Sequence, residues 1–292
     1  MTQPVEATLY NDAGCPWGYS AHPAFRTLEW RYGAQLEWRL VLIGLTEYAQ
    51  QYVDRGYTPL GSAEGYARRF RRFGMPFAPA PRARVVGTGR ACRAVVAARL
   101  QAPGSEWAVF RALQFAWFTT TLLLDEDDGL AEALRGVPGI DVARVIASID
   151  SPEVEAAYQR DRAEARSAMG SPAELQGKTA TTDGPVRFTA PSVVFEHAGR
   201  RLVAGGWQTV EAYDVLVANL IPDGERRGVP DDTRALLERF PGGLTTQEVA
   251  QLLTRGNDAP DRTEAEASML RLVAANSATR TPLGDDALWK PL

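Results

Sequence analysis

Leu9-Tyr10-Asn11-Asp12-Ala13-Gly14-Cys15-Pro16-Trp17-Gly18-Tyr19-Ser20 reads as the end of a strand, a tight turn and the first turn of a helix, with a cysteine at the junction. The helix is expected to run on through Phe25, Leu28 and Trp30 to Gly33. Pro16 suits a first helical turn because its ring presets φ and it has no N–H to leave unbonded. A thiol at this junction would meet free backbone N–H groups and the positive end of a helix. Both favour the thiolate, so Cys15 is expected to ionise below the range of an ordinary thiol. A dithiol redox site would place a second cysteine three residues on, and Gly18 stands there instead.

Working outward, Val5 to Tyr10 is a short run with β-formers. Leu36 to Ile43 alternates and then becomes wholly apolar, as a strand entering a covered sheet does. With the intervening helix these make one βαβ unit whose strands should be parallel. From about residue 46 to 169 the pattern is helical: a basic aromatic helix over 63–73, a Pro-rich loop to Pro81, an Ala-rich helix over 89–100, an apolar helix over 106–124, and helices over 141–149 and 152–169. Asp125 to Asp128 reads as a charged helix end. Ser192 to His197 and Arg200 to Val203, joined by Ala198-Gly199, form an antiparallel hairpin, and Gln208 to Leu220 is a closing helix. The fold class is therefore α/β with a large helical insertion.

Composition divides the chain into a first domain over 1–221, a linker over 222–230 and a small C-terminal domain over 231–292. The last consists of three helices and a hairpin and outlines a winged helix. Thr245 and Glu248 stand at capping-box spacing before the second of those helices. Residues 231–292 contain seven basic and ten acidic residues, a net of −3, so this surface should repel a duplex. A protein partner or self-association through 231–292 is expected instead of nucleic acid.

The whole chain has 292 residues and a formal net charge of −4. It shows no basic-then-apolar leader and no long apolar run, so a cytoplasmic protein without membrane attachment is expected. Two cysteines exclude a disulfide scaffold, and two histidines leave little from which to build a metal site.

The order strand, Cys15-Pro16-Trp17, helix, strand, helical insertion, then Thr189-Ala190-Pro191 before a hairpin and a helix resembles the thioredoxin-like DsbA family over roughly Val5 to Leu220. The similarity is to its intracellular branch of FrnE-type proteins, 2-hydroxychromene-2-carboxylate isomerases and kappa-class glutathione transferases. It implies a thioredoxin-like fold, a cis peptide bond before Pro191 facing Cys15, and a ligand groove lined by Thr189, Ala190 and Pro191. Members with serine in place of the nucleophilic cysteine use the site to hold a glutathione thiolate. With Gly18 in the fourth position, Cys15 can form a mixed disulfide but has no neighbour to resolve it. The expected activity is thus a thiol–disulfide oxidoreductase or a thiol-dependent transferase or isomerase. Its substrate is a small thiol or a thiol-bearing molecule, and glutathione, mycothiol or a similar low-molecular-weight thiol is cosubstrate rather than a tightly bound cofactor. The rival reading is a non-catalytic protein-interaction module with a vestigial thiol.

Three further features bear on the site. Cys92 lies in the Ala-rich helix, where a cysteine usually packs, with a resolving thiol as the alternative. Arg82, Arg84 and Arg90 belong to an arginine-rich stretch without acids and are candidates for binding a carboxylate-bearing ligand, against the plainer reading of a solvated face. His22 and His197 have no spacing to Cys15 that marks a base.

Overall fold

The computed structural model describes residues 3–256 and 258–292. Strand β1 (Val5–Asn11) leads through Cys15 into α1 (Pro16–Ser20) and α2 (His22–Tyr32), and then into β2 (Leu36–Leu42), which runs parallel to β1 with Leu9 opposite Leu40. The expected single helix is broken because Pro23 begins a new first turn, and Gly33 ends it at φ 52°.

The helical insertion comprises α3 (Ala49–Val53), α4 (Pro59–Gly65), α5 (Gly89–Gln101), α6 (Glu106–Thr119), α7 (Asp127–Leu134), α8 (Val142–Ser148) and α9 (Pro152–Ala165). After α4 the chain stays helical through a π-type turn at Tyr66–Phe70 and a 3-10 turn at Arg71–Phe73, and it stops at left-handed Gly74. Asp127 and Asp128 do not end a helix. They occupy the first turn of α7, where their charge complements the helix N-terminus.

A short α10 (Pro172–Leu175) and the two-residue strands β3 (Thr179–Ala180) and β4 (Arg187–Phe188) precede the hairpin of β5 (Ser192–His197) and β6 (Arg200–Ala204). Its turn holds Ala198 and Gly199 at φ 48° and 77°. Strand β5 pairs antiparallel with β1, so the sheet order is β2-β1-β5-β6, and α11 (Val210–Leu220) packs beside α2. The core is continuous from Val5, Leu9 and Leu28 in the βαβ unit to Phe110, Phe118, Phe195 and Tyr213.

Residues 222–230 contain no regular element but are tied down. Gln35 and Glu225 exchange two hydrogen bonds, Arg227 N–H donates to the Arg31 carbonyl, and the Trp30 indole donates to Gly228 at 2.8 Å. Beyond them lie α12 (Thr233–Arg239), β7 (Leu244–Thr245), α13 (Thr246–Leu253), α14 (Arg262–Ala274), β8 (Ala278–Leu283) and β9 (Asp286–Pro291), the strands forming a sheet of order β7-β9-β8. Their own core centres on Leu236, Val249, Met269 and Trp289.

Helix α13 docks on α2, and one carboxylate serves both modules. Glu248 closes the capping box with Thr245 and also takes the fork of Arg111 on α6, both bonds at 2.7 Å, with its side chain fully buried. Burial pushes this carboxyl up, but Arg111, with Arg26 nearby, overrides it and holds the group down at about 2. Removing one partner of a buried pair strands the other, so Glu248→Gln should cost about 3 kcal/mol or more. The folded value lies below the ordinary 4.5, so this stabilisation is complete above that value and fades as pH falls toward about 2. Thermal melts of the wild type and Glu248→Gln should therefore converge on acidification, and a constant separation would contradict the pairing.

Candidate functional site

Cys15 caps α1 from an extended backbone conformation. Its sulfur accepts from Gly18 N–H at 3.4 Å and donates to the Ala190 carbonyl at 3.2 Å. The Ala190–Pro191 peptide bond is cis. Ser192 Oγ donates to Thr189 O and accepts from Gly206 N–H, which fixes the turn that brings this carbonyl to the sulfur. The structure thus brings together Cys15 and Ala190–Pro191, placed at opposite ends of the first domain by the chain.

These groups open on a cavity of about 900 Å³. Cys15, Pro16, Trp17, Thr189 and Ala190 line it on one side and Tyr52, Tyr57, Tyr66 and Phe70 on the other. Trp17 is 40% exposed and meets Phe70 edge-on at 5.0 Å, with Phe73 and Trp207 behind it.

The neighbour that the sequence does not advertise is Asn11. It is fully buried at the end of β1, and a Cβ built on Gly18 would overlap its carboxamide. The space in which a second cysteine would sit is therefore filled by Asn11. Asp12 is also fully buried. It accepts from Gly14 N–H and Leu45 N–H, both at 2.8 Å, and from Thr88 Oγ1 at 3.0 Å, joining the end of β1 to the loop after β2 and the start of α5. The Asp-x-Gly spacing of an Asx turn was the available signal for Asp12, and Asn11 had none.

Burial, aided by the Asp12 charge, pushes the Cys15 thiol up to about 12, against the pull of the Gly18 and Trp17 N–H groups and of Arg187. The expected low-pKa thiolate is corrected on this point. Helix α1 is only five residues long, and Cys15 is 4% exposed, so lost hydration outweighs the helix start.

The family model for the DSBA-like thioredoxin domain matches residues 7–178, more than half the chain, and takes in Cys15, β2 and the helical insertion, ending just before β3. The chain belongs to the DSBA-like thioredoxin domain family. Solved structures share the fold. A candidate protein disulfide isomerase from Nitrosomonas europaea is 18% identical, with TM-score 0.54 over 76% of this chain and 97% of that one. A probable DsbA oxidoreductase from Streptomyces coelicolor is 16% identical, with TM-score 0.55 over 78% and 94%. The cytosolic disulfide reductase DsbM from Pseudomonas aeruginosa is 19% identical, with TM-score 0.49 over 75% and 98%. Among curated proteins, none matches this chain.

Within this DsbA-like frame the other candidates separate. Cys92 is fully buried in the core, where its sulfur donates to Asp12 Oδ2 at 3.5 Å, and both cysteines are free. Burial and the adjacent Asp12 push its thiol well up. These surroundings are those of a packed residue, the usual role of a cysteine in such a helix.

Arg90 is corrected as well. It binds Asp127 and Asp150 and lies outside the cavity lining. Arg84 lines the cavity but is forked onto Asp125 and reaches Glu126 at 2.6 Å. Arg82 also lines it, yet its guanidinium donates to the carbonyls of Trp117 in the last turn of α6 and of Leu122 just beyond that helix. The acids 125–127, distant in sequence from the arginines, neutralise two of the three. Arg68, Arg69, Lys178 and Arg187 also line the cavity, and among the described residues Glu64 is its one acid. The positive character thus survives, carried by Arg68 and Arg69 of the same arginine-rich stretch together with Lys178 and Arg187, which the sequence did not single out.

Among the described residues no cluster of three or more His, Cys, Asp or Glu side chains could hold a metal ion, and no helix is long and apolar enough to cross a membrane.

Two measurements test this geometry. Alkylation of Cys15 by iodoacetamide should be slower than that of free cysteine at neutral pH and should keep rising from about pH 7 to 10, and a plateau near neutrality would contradict the raised pKa. Gly18→Cys should lower stability by about 1–3 kcal/mol through overpacking, as read from urea melts. Adding Asn11→Ala should recover most of that loss, and recovery by Gly18→Cys alone would mean that Asn11 does not fill the space.

Proposed function

We propose that this DsbA-like protein performs thiol-dependent chemistry with a low-molecular-weight thiol, such as glutathione or mycothiol, taken from outside the chain. The observation that carries this reading is the Asn11 carboxamide against Gly18, which fills the place where a neighbouring resolving cysteine would sit. The cavity beside Cys15 has room for a peptide-sized thiol, and its excess of cationic side chains suits a ligand bearing carboxylates.

Two chemistries are open to a lone thiol here. In the first, Cys15 stays protonated, with the Gly18 N–H on its sulfur, and donates its S–H to the sulfur of the bound thiol, while the cavity cations favour the anionic form of that ligand. The bound thiolate then attacks an electrophilic second substrate, as a transferase or isomerase requires. The high pKa of Cys15 favours this reading. In the second, Cys15 loses its proton and attacks a disulfide R–S–S–R′, giving Cys15–S–S–R and R′–SH. A second small thiol then regenerates Cys15–SH and carries away R–S–S–R″. Membership of the DSBA-like family favours this one.

On the same reading the C-terminal module, with three helices and a three-stranded sheet, is winged-helix-like. Its acidic balance disfavours nucleic acid, which leaves a protein partner or self-association as its outward role.

Equilibrium binding of reduced glutathione and mycothiol, paired with intact-mass measurement after exposure to their disulfides, distinguishes the two chemistries. If Cys15 is a donor, Cys15→Ser should bind the reduced thiol nearly as the wild type does, and Cys15→Ala about tenfold more weakly, the worth of one charge-assisted hydrogen bond. Accumulation of a mixed disulfide on Cys15 would favour the exchange reaction. Absence of both binding and adduct would overturn the proposal and leave the non-catalytic interaction module.

A further inference from the structure

One wall of the Cys15 cavity is held by the far end of the chain. The segment from Tyr66 to Phe77 follows α4 as a π-type turn, a 3-10 turn and an extended stretch, none of which supports itself as a regular helix would. On its inner side Phe70 and Phe73 lie 5.0 and 5.6 Å from the Trp17 ring, two residues from Cys15, and Arg68 and Arg69 line the cavity. On its outer side it is gripped by the turn between β8 and β9. Asp285 N–H donates to the Phe77 carbonyl at 3.0 Å, and the Asp285 carboxylate accepts from Phe77 N–H at 2.8 Å. The second carboxylate oxygen accepts from Arg71 Nε at 2.8 Å.

Gly284 precedes this carboxylate at φ 57°, and a Cβ there would stand 2.9 Å from the Phe77 carbonyl group, so only glycine allows the approach. Two further contacts from the same module extend the grip. Thr245 Oγ1 donates to Met75 Sδ at 3.5 Å, and the Gln247 side chain fills the space over Gly74.

We propose that Asp285 is a positioning residue for the Cys15 site: through Arg71 and Phe77 the C-terminal hairpin fixes the 66–77 strap against Trp17 and so sets the shape of, and access to, the cavity. This rests on Cys15 being the working thiol, but not on what that thiol reacts with. The strap has few regular hydrogen bonds of its own, so loss of the outer grip is felt as local opening at its inner face rather than as global unfolding.

The test uses the full chain and needs no cosubstrate. Cys15 alkylation by iodoacetamide and tryptic cleavage within Arg68–Arg72 are followed in the wild type, Asp285→Ala, Arg71→Ala and the double variant. Asp285→Ala should raise both rates about tenfold, the effect of removing a charge-assisted hydrogen bond from a local opening equilibrium. The double variant should add little, because both residues act through one contact. Arg262→Ala is the control, since it breaks the Arg262–Asp286 pair in the same hairpin without touching the strap. It should leave both rates near wild type even if the melting temperature falls. Unchanged alkylation in Asp285→Ala, or equal acceleration in Arg262→Ala, would overturn the proposal. Failure of glutathione or mycothiol binding would bear on the proposed chemistry alone and leave these rates as they stand.

Discussion

The contact on which the site depends is the one between Cys15 Sγ and the Ala190 carbonyl. It joins the N-terminal turn to the loop before β5 and is possible only because β5 lies directly beside β1 in the sheet. The pairing of Leu9 with Val193 sets the height at which the Ala190 carbonyl meets the turn after β1. The same proximity buries the sulfur. The geometry that assembles the site therefore also raises the thiol, and the helix start is too short to reverse it.

Charge pairing organises the cavity around that sulfur. Arg84 and Arg90 are drawn off by acids at the start of α7, and Arg82 by carbonyls in the last turn of α6 and just beyond it. Beside Arg82 and Arg84 the lining also holds Arg68, Arg69, Lys178 and Arg187, and the charge of Arg187 partly offsets the desolvation of the Cys15 thiol. The buried Arg187 guanidinium is already paired with Asp183 at 3.4 Å, so it contributes to the field at the sulfur rather than offering an open anion site.

Much of this was legible in the chain. The βαβ unit, the hairpin with its Ala198-Gly199 turn and the capping box at Thr245 follow from periodicity and local hydrogen-bonding chemistry, which act over a few residues. The Cys15-Pro16-Trp17 turn and the Ala190-Pro191 pair could be matched because their spacing from strands is itself local. The roles of Asn11, Arg187 and Asp285 could not, because each is defined by contact with a residue distant in sequence. The helix expected over 106–124 is longer than α6 because the apolar run continues past Thr119, where Arg82 meets the Trp117 and Thr120 carbonyls from outside. Helix α7 is not legible in the sequence because acids after an apolar run read as a stop signal, although here they occupy the first turn of a helix. The state of Cys15 was misjudged for a related reason: position on a helix can be read from order, whereas loss of water depends on everything folded over it.

The shared use of Glu248 also has a consequence for the order in which the protein is made. Arg111 is buried on α6, and its carboxylate arrives more than a hundred residues later in the chain. During vectorial synthesis the first domain can build most of its sheet and helices while one interior guanidinium still needs water or a substitute anion. Only when α13 leaves the ribosome can that face of α2 and α6 close. The compositional border near residue 221 is thus a border in sequence but not in packing, since an interior guanidinium of the N-terminal part has its carboxylate in the C-terminal part.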